Sequence, residues 1–414
     1  MLVKLLWLTI SAHAAYPLTL EETLRLAEGN NPATQVARER ENAAESAVGI
    51  AKSGYYPSLT FEALETTGFP ASSNPMGIGG IMGSPYRSGW AYGLVAQATL
   101  WDFGRTSGAV SSARHDQLAA AEATRVQAAE IDQQTAAAYF DCVRFGSEQE
   151  AWSYVAKAAG SIFGEVKRFA KTGQNSVVER TLAEAQLEQA QTEVAALGER
   201  RRLAFERLRV LTGLPAGPVA CPLLDELKES KLLPAANEKD PWTALAAEQV
   251  SAAEARVSQA KAEFLPRLLA TASIGDMHKS RLVPEKDSAA AIGVSWPIFE
   301  GFRTKYRVQE ANAIAAGRAA SLAAVVQDRD QTLARYAETT GAASVKLTHL
   351  QEELRLAESG VKLAQKRYHS FQGNLIDMRE SLRNFARVKT DWIQTRLEYD
   401  QAKVAVALLN GARP

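Results

Sequence analysis

Ala51-Lys52-Ser53-Gly54-Tyr55-Tyr56-Pro57-Ser58-Leu59 is answered 209 residues later by Ala260-Lys261-Ala262-Glu263-Phe264-Leu265-Pro266-Arg267-Leu268. Each stretch closes an alanine-containing helix on an aromatic, then on a proline, and opens an alternating segment. The match extends back to Asn31-Pro32-Ala33 against Asp240-Pro241-Trp242. It extends forward to Leu100-Trp101-Asp102-Phe103-Gly104-Arg105 against Ile298-Phe299-Glu300-Gly301-Phe302-Arg303, where the offset is 198. Ser176 and Asn374, Glu179 and Asp377, and Gly213 and Gly411 keep that offset of 198. The chain is therefore written twice. The drift between the two offsets falls between Pro57 and Leu100, where the first copy carries a longer loop, Thr66 to Ser88.

Each copy reads helix, strand, strand, very long helix, turn, helix. Residues 18–53 have helical apolar spacing, with Thr19 as N-cap and Glu21 and Glu22 in the first turn. Beyond Pro57, Leu59, Phe61 and Ala63 fall on one face and Ser58, Thr60 and Glu62 on the other. The expected strands are about 57–67 and 89–100 in the first copy and about 266–275 and 289–298 in the second. Ile292, Val294 and Trp296 share a face. From Arg105 to Lys171 no proline occurs, and such a helix is on the order of 100 Å long, too long to bury itself alone. Ser176 and Glu179 form a capping box for the returning helix, and Asn374 and Asp377 stand at the same places in the second copy. The tips of the two hairpins fall at 172–175 and 371–374.

Composition agrees and excludes. The 414 residues contain 47 basic and 47 acidic side chains, so no cationic surplus exists for nucleic acid. There are 73 alanines, which suits long, closely packed helices. Length alone suggests two or three domains, but the repeat makes one domain written twice: residues 15–215, a connector at 216–240, and 241–414. Residues 1–14 read as a secretory signal, with Lys4 before an apolar run and Ala12-His13-Ala14 as the cleavage pattern. In an exported chain Cys142 and Cys221 could be bonded or could remain two separate thiols.

No run of about 18 apolar residues occurs, which rules out a membrane helix but not a membrane strand. The four strands have the length of tilted membrane strands, yet four are too few to close a barrel alone. Tyr55, Tyr56, Trp101, Phe103, Phe264, Trp296, Phe299 and Phe302 all fall at the helix-proximal strand ends, as an interfacial aromatic girdle requires. Tyr86, Trp90 and Tyr92 lie near the distal ends. Signals for an enzyme are weak. Asp102-Phe103-Gly104 copies a kinase tripeptide without its companions. Gly77-Ile78-Gly79-Gly80-Ile81-Met82-Gly83 lacks the Lys-Ser/Thr of a phosphate loop. His13, His115, His278, His349 and His369 show no metal spacing, and Asp276-Met277-His278 is expected in a solvated loop. The reading is no enzyme, no cofactor and no metal.

These motifs, in their order twice over and across the mature chain, resemble the TolC-type outer-membrane efflux proteins. The resemblance implies a mainly α fold with a small β part: four strands per chain in a trimeric 12-strand barrel, carried on a long periplasmic helical barrel. It also implies an exit duct for efflux or type I secretion, in the outer-membrane lipid, working with a periplasmic adaptor and an inner-membrane transporter. A periplasmic coiled-coil adaptor without a barrel is the alternative. The family's tip gate maps onto Tyr368, Asn374, Asp377 and Glu380, with Gly173, Ser176 and Glu179 in the first copy. Phe371 replaces a usual glycine and Gly373 a known loop arginine, so the closing salt bridges do not carry over intact. On this layout Cys142 and Cys221 come to similar heights and are expected to bond.

Overall fold

A computed structural model describes residues 18–67, 88–171, 176–214, 221–227, 240–277, 285–370 and 372–412. The expected leader, the loop of the first strand pair, the turn containing Gly173, most of the connector, and Phe371 lie outside the described residues. The elements are α1 (Leu20–Asn30), α2 (Pro32–Ser53), β1 (Ser58–Thr67), β2 (Ser88–Trp101), α3 (Arg105–Lys171) and α4 (Val177–Thr212). After a short 3-10 turn (Leu224–Glu226) come α5 (Pro241–Ala262), β3 (Arg267–Met277), β4 (Glu285–Ser295), α6 (Arg303–His369) and α7 (Leu375–Leu409).

The expected single helix over 18–53 is two. Asn31 is extended and accepts the N–H of Ala33 on its side chain at 2.9 Å, ending α1 and starting α2. Pro32 then takes the first helical position, where its missing N–H costs nothing. Thr19 and Glu22 form a reciprocal capping box on α1. The long helices α3 and α6 each have 67 residues.

The chain forms two compact units. One comprises residues 37–124 and 241–326, with the sheet and the helical segments next to it. The sheet order is β1-β2-β3-β4, all antiparallel. Register places Leu59, Phe61, Tyr92, Leu94, Ala96, Ala272, Ile274, Ala290, Ile292 and Val294 on one face. Leu59, Phe61, Ile274, Ile292 and Val294 are each more than 60% exposed. The opposite face carries mainly small and polar residues, Ser58, Thr60, Gly93, Gln97, Thr271, Ser273, Gly275, Ala291 and Gly293, with Val95 and Leu269 between them. Two glycines meet across the strands on this face. A Cβ at Gly275 would stand 2.4 Å from the Tyr92 carbonyl oxygen, and one at Gly93 2.7 Å from that of Ile274. A side chain at either position would push β2 and β3 apart.

Polar contacts tie α5 to its neighbours in this unit. Arg256 pairs with Asp116 of α3 at 2.6 Å, and Glu263, just past α5, pairs with Arg307 of α6 at 2.6 Å. Gly108 lets α3 approach the α5 backbone, since a Cβ there would lie 3.0 Å from the Gln259 Cα.

The other unit comprises the remaining helical segments and has two apolar clusters. In one, Val155, Ala158, Ile162 and Val166 of α3, Leu350, Leu354, Ala357 and Val361 of α6, and Leu375, Met378, Leu382 and Phe385 of α7 are buried. The steps of three and four, strictly alternating on α6 and α7, are the heptad pattern of a coiled-coil seam. In the other, Leu20 and Leu24 of α1 meet Tyr139 and Val143 of α3 and Ile393, Leu397 and Leu408 of α7. Cys142 and Cys221 are bonded inside this cluster, with Cα atoms 6.1 Å apart. Buried Glu148 of α3 accepts a hydrogen bond from Gln394 of α7 at 3.0 Å. Burial raises its carboxyl pKa above the ordinary range, partly offset by Gln394 and by the charges of Arg144 and Arg200.

Candidate functional site

The two candidate regions lie in different units. At the strand-to-helix turns, Asp102 caps α3 by accepting the N–H of Thr106 at 2.7 Å and that of Gly104 at 3.2 Å. Phe103 and Gly104 have φ of +53° and +100°, and Gly301 and Phe302 have φ of +62° and +64°. Both turns therefore need two consecutive left-handed residues. That geometry explains why the first copy reads Phe-Gly and the second Gly-Phe: glycine relieves one of the two positions, and either will serve.

The turns hold their aromatics alike. Trp101 packs edge-on against Phe103 with ring centroids 6.0 Å apart, and Phe299 against Phe302 at 5.6 Å. Trp296 donates its indole N–H to the Phe264 carbonyl at 3.0 Å. All eight aromatics of the expected girdle, Tyr55, Tyr56, Trp101, Phe103, Phe264, Trp296, Phe299 and Phe302, are exposed. Tyr86 lies outside the described residues. Asp276 corrects the expectation of a solvated loop: it lies in β3, opposite Tyr92 on the apolar face, and accepts the Tyr92 hydroxyl at 2.8 Å. The apolar series Leu268, Ala270, Ala272 and Ile274 stops at the charged Asp276, so the continuation of the strand shows only in its pairing with β2.

At the tip, Ser176 accepts the N–H of Glu179 at 3.2 Å, and Glu179 accepts that of Ser176 at 3.0 Å. Asn374 accepts the N–H of Asp377 at 2.7 Å. Asp377 is exposed in the first turn of α7, where its charge faces the positive helix end. Tyr368 packs on the seam, continuing the α6 series through Val361 and Ala364 by the same heptad steps. Glu380 pairs with Arg383 at 3.4 Å and Arg379 at 3.7 Å. Gly173 lies outside the described residues. Arg367 donates to the Gln372 carbonyl at 3.1 Å, bracing the turn before Gly373. His369, which has no metal spacing in the sequence, sits 2.8 Å from Glu165 of α3, a contact that no short stretch of sequence signals. Arg168 stands 4.0 Å from the same carboxylate.

Among the described residues no group of three His, Cys, Asp or Glu side chains converges to hold a metal, and no helix is long and apolar enough to cross a membrane.

Known proteins match this arrangement. VceC of Vibrio cholerae, described as an outer membrane protein, superposes with a TM-score of 0.82 at 17% identity, covering 95% of this chain and 96% of that one. The CmeC outer membrane channel of Campylobacter jejuni gives 0.82 at 17% identity, with 95% and 86% covered. In sequence, protein CyaE of Bordetella pertussis is 25% identical over 316 residues, or 72% of this chain. The chain spans 63% of that relative's length. The profile of the outer membrane efflux protein family matches residues 23–214 and 232–412. With its two matched halves together covering most of its length, the chain belongs to the outer membrane efflux protein family.

Proposed function

We propose that the chain is the outer-membrane exit duct of an efflux or type I secretion machine, conducting passively while an inner-membrane transporter supplies energy through a periplasmic adaptor. The observation that carries this reading is a four-stranded sheet with one apolar exposed face and, among the described residues, two unpaired edges, joined to a 67-residue helix after each strand pair. An unpaired strand in lipid leaves about half its backbone groups unsatisfied, at several kcal/mol each, so β1 and β4 require partners. Three copies close 12 strands, above the minimum of about eight for a membrane barrel.

The eight exposed aromatics then form the girdle at the periplasmic rim. Tyr368, Asn374, Asp377 and Glu380, with Gly173, Ser176 and Glu179, form the tip, where the duct narrows and the adaptor docks. Electron microscopy of detergent-purified protein tests the reading: tapered trimeric cylinders are expected. Recovery of the chain only in the soluble periplasmic fraction would reject it.

A further inference from the structure

Between the end of α2 and the first turns of α3, an open cavity of about 440 Å³ lies directly under the strand-to-helix turns. Its basic lining consists of Lys52, Arg114 and His115, with the hydroxyls of Ser107 and Ser111 between them. Tyr55 and Tyr56, both exposed, stand at its rim and lead straight into β1.

The charges in the cavity do not balance. His115 is met by Glu248 of α5 at 2.8 Å. Asp116 is engaged by Arg256 at 2.6 Å, so its charge is already answered. The side chains of Lys52 and Arg114 have no hydrogen bond or ion pair among the described residues. Two unpaired cations lie beside two hydroxyls, one of them, Ser111, with no partner of its own. Such a donor set matches a phosphodiester, which offers a negative charge and several acceptor oxygens.

Height decides the source of the phosphate. Ser107 stands about 3 Å and Arg114 about 14 Å along α3 from its start, by the rise of the helix. The headgroup layer on each side of a bilayer is about 5–8 Å thick. Long basic side chains reach several ångströms further toward it while their stems cover apolar surface. Exposed tyrosines at the same rim are the residues that settle at such an interface.

We propose that this cavity binds the headgroup of an anionic phospholipid from the periplasmic leaflet, with Lys52 and Arg114 on the phosphate and Ser107 and Ser111 as further donors. The site rests on the outer-membrane reading above, because only a girdle at the rim brings a leaflet to this height. Bound lipid at this collar would fix the depth of each chain in the membrane.

The test uses the full-length assembly, as wild type and as a Lys52→Gln/Arg114→Gln double variant, in phosphatidylcholine vesicles doped with phosphatidylglycerol. Flotation is scored first. Native mass spectrometry then counts the lipid retained per chain, with and without millimolar inorganic phosphate as competitor. Wild type is expected to retain phosphatidylglycerol over phosphatidylcholine, and inorganic phosphate is expected not to displace it. The double variant should retain about 25-fold less, at about fivefold for each basic residue near an anionic surface. Arg114→Lys should restore most of the loss of a single Arg114→Gln. Equal retention by both proteins, or equal retention of both lipids, overturns the site while leaving the duct reading intact. Displacement by inorganic phosphate makes it a free-anion site and overturns the proposal. Dissociation of the assembly by the double variant assigns the cations to a neighbouring subunit's carboxylates and also overturns it. Failure of the wild type to float overturns both readings.

Discussion

Cys142, in the middle of α3, is bonded to Cys221, in the segment after α4, across 79 residues of chain. Both are buried in the same apolar cluster, so the bond clamps the start of the connector onto the core. Closing a loop of this length removes several kcal/mol of unfolded-chain entropy. Cys221→Ser is expected to lower stability by about 2–4 kcal/mol, seen as an earlier denaturant midpoint for unreduced protein. Reduction should bring the wild type to the same midpoint, and thiol labelling of denatured, unreduced wild type should find no free thiol.

Gly93 and Gly275 allow β2 and β3 to approach each other on the polar face. Gly275→Ala inserts a methyl 2.4 Å from a backbone carbonyl oxygen. A cost of about 1–3 kcal/mol is expected, the usual range for overpacking. Gly293→Ala is the matched control on β4, because nothing lies within 4 Å of its added Cβ. The yield of folded assembly on unheated gels should fall for the first and hold for the second.

Glu148 links stability to pH through a raised carboxyl pKa, whose main cause is burial. A folded state that holds the proton more tightly than the unfolded chain is most favoured below the unfolded pKa. It loses that contribution as pH rises through the folded pKa. Glu148→Gln keeps an acceptor for Gln394 and removes the ionisation. The variant is expected to be more stable than wild type at neutral pH and equal to it at acid pH, as read by unfolding midpoints across the range.

The left-handed pairs at the two turns make a stereochemical prediction. Exchanging Gly301 and Phe302, to read Phe-Gly as in the first copy, should assemble normally. Gly104→Val places a β-branched residue at φ +100° and should cost at least about 1–2 kcal/mol. Assembly yield and thermal midpoint compare the two.

At the tip, capping and gating can be separated. Asn374→Ala loses the bond to the Asp377 N–H and should cost about 1 kcal/mol of stability. Asp377→Asn leaves that N–H in place. If its carboxylate helps hold the tip shut, conductance of the reconstituted channel rises while the unfolding midpoint barely moves. Unchanged conductance would reduce Asp377 to a helix-end charge.

What could be read in the sequence was what local chemistry dictates. Ser176 with Glu179, and Asn374 with Asp377, announce their helix starts because a cap bond spans only three residues. The long helices declare themselves through the absence of proline, and the exposed aromatics through their places beside the same turns twice. The break at Asn31-Pro32 was overridden by continuous apolar spacing, although proline at a first helical position was there to be read. Asp276 was misplaced because Gly275-Asp276 resembles a turn, and only the pairing with Tyr92 shows the strand continuing. The contact of His369 with Glu165 depends on the relative register of two 67-residue helices. The cavity under Tyr55 joins Lys52 to Arg114 from separate helices. Neither is encoded in any short window.

The unfinished edges of the sheet have a genetic consequence. Among the described residues β1 pairs only with β2 and β4 only with β3, so in the proposed trimer the strand that completes one copy comes from another. A cell making equal amounts of a sound chain and one damaged only along β1 would, with random mixing of three, build about one intact ring in eight, since the lipid tolerates no open seam. Lesions on the outer edges of β1 and β4 should therefore act dominantly. Lesions confined to the helical interior, which each chain packs for itself, should be recessive.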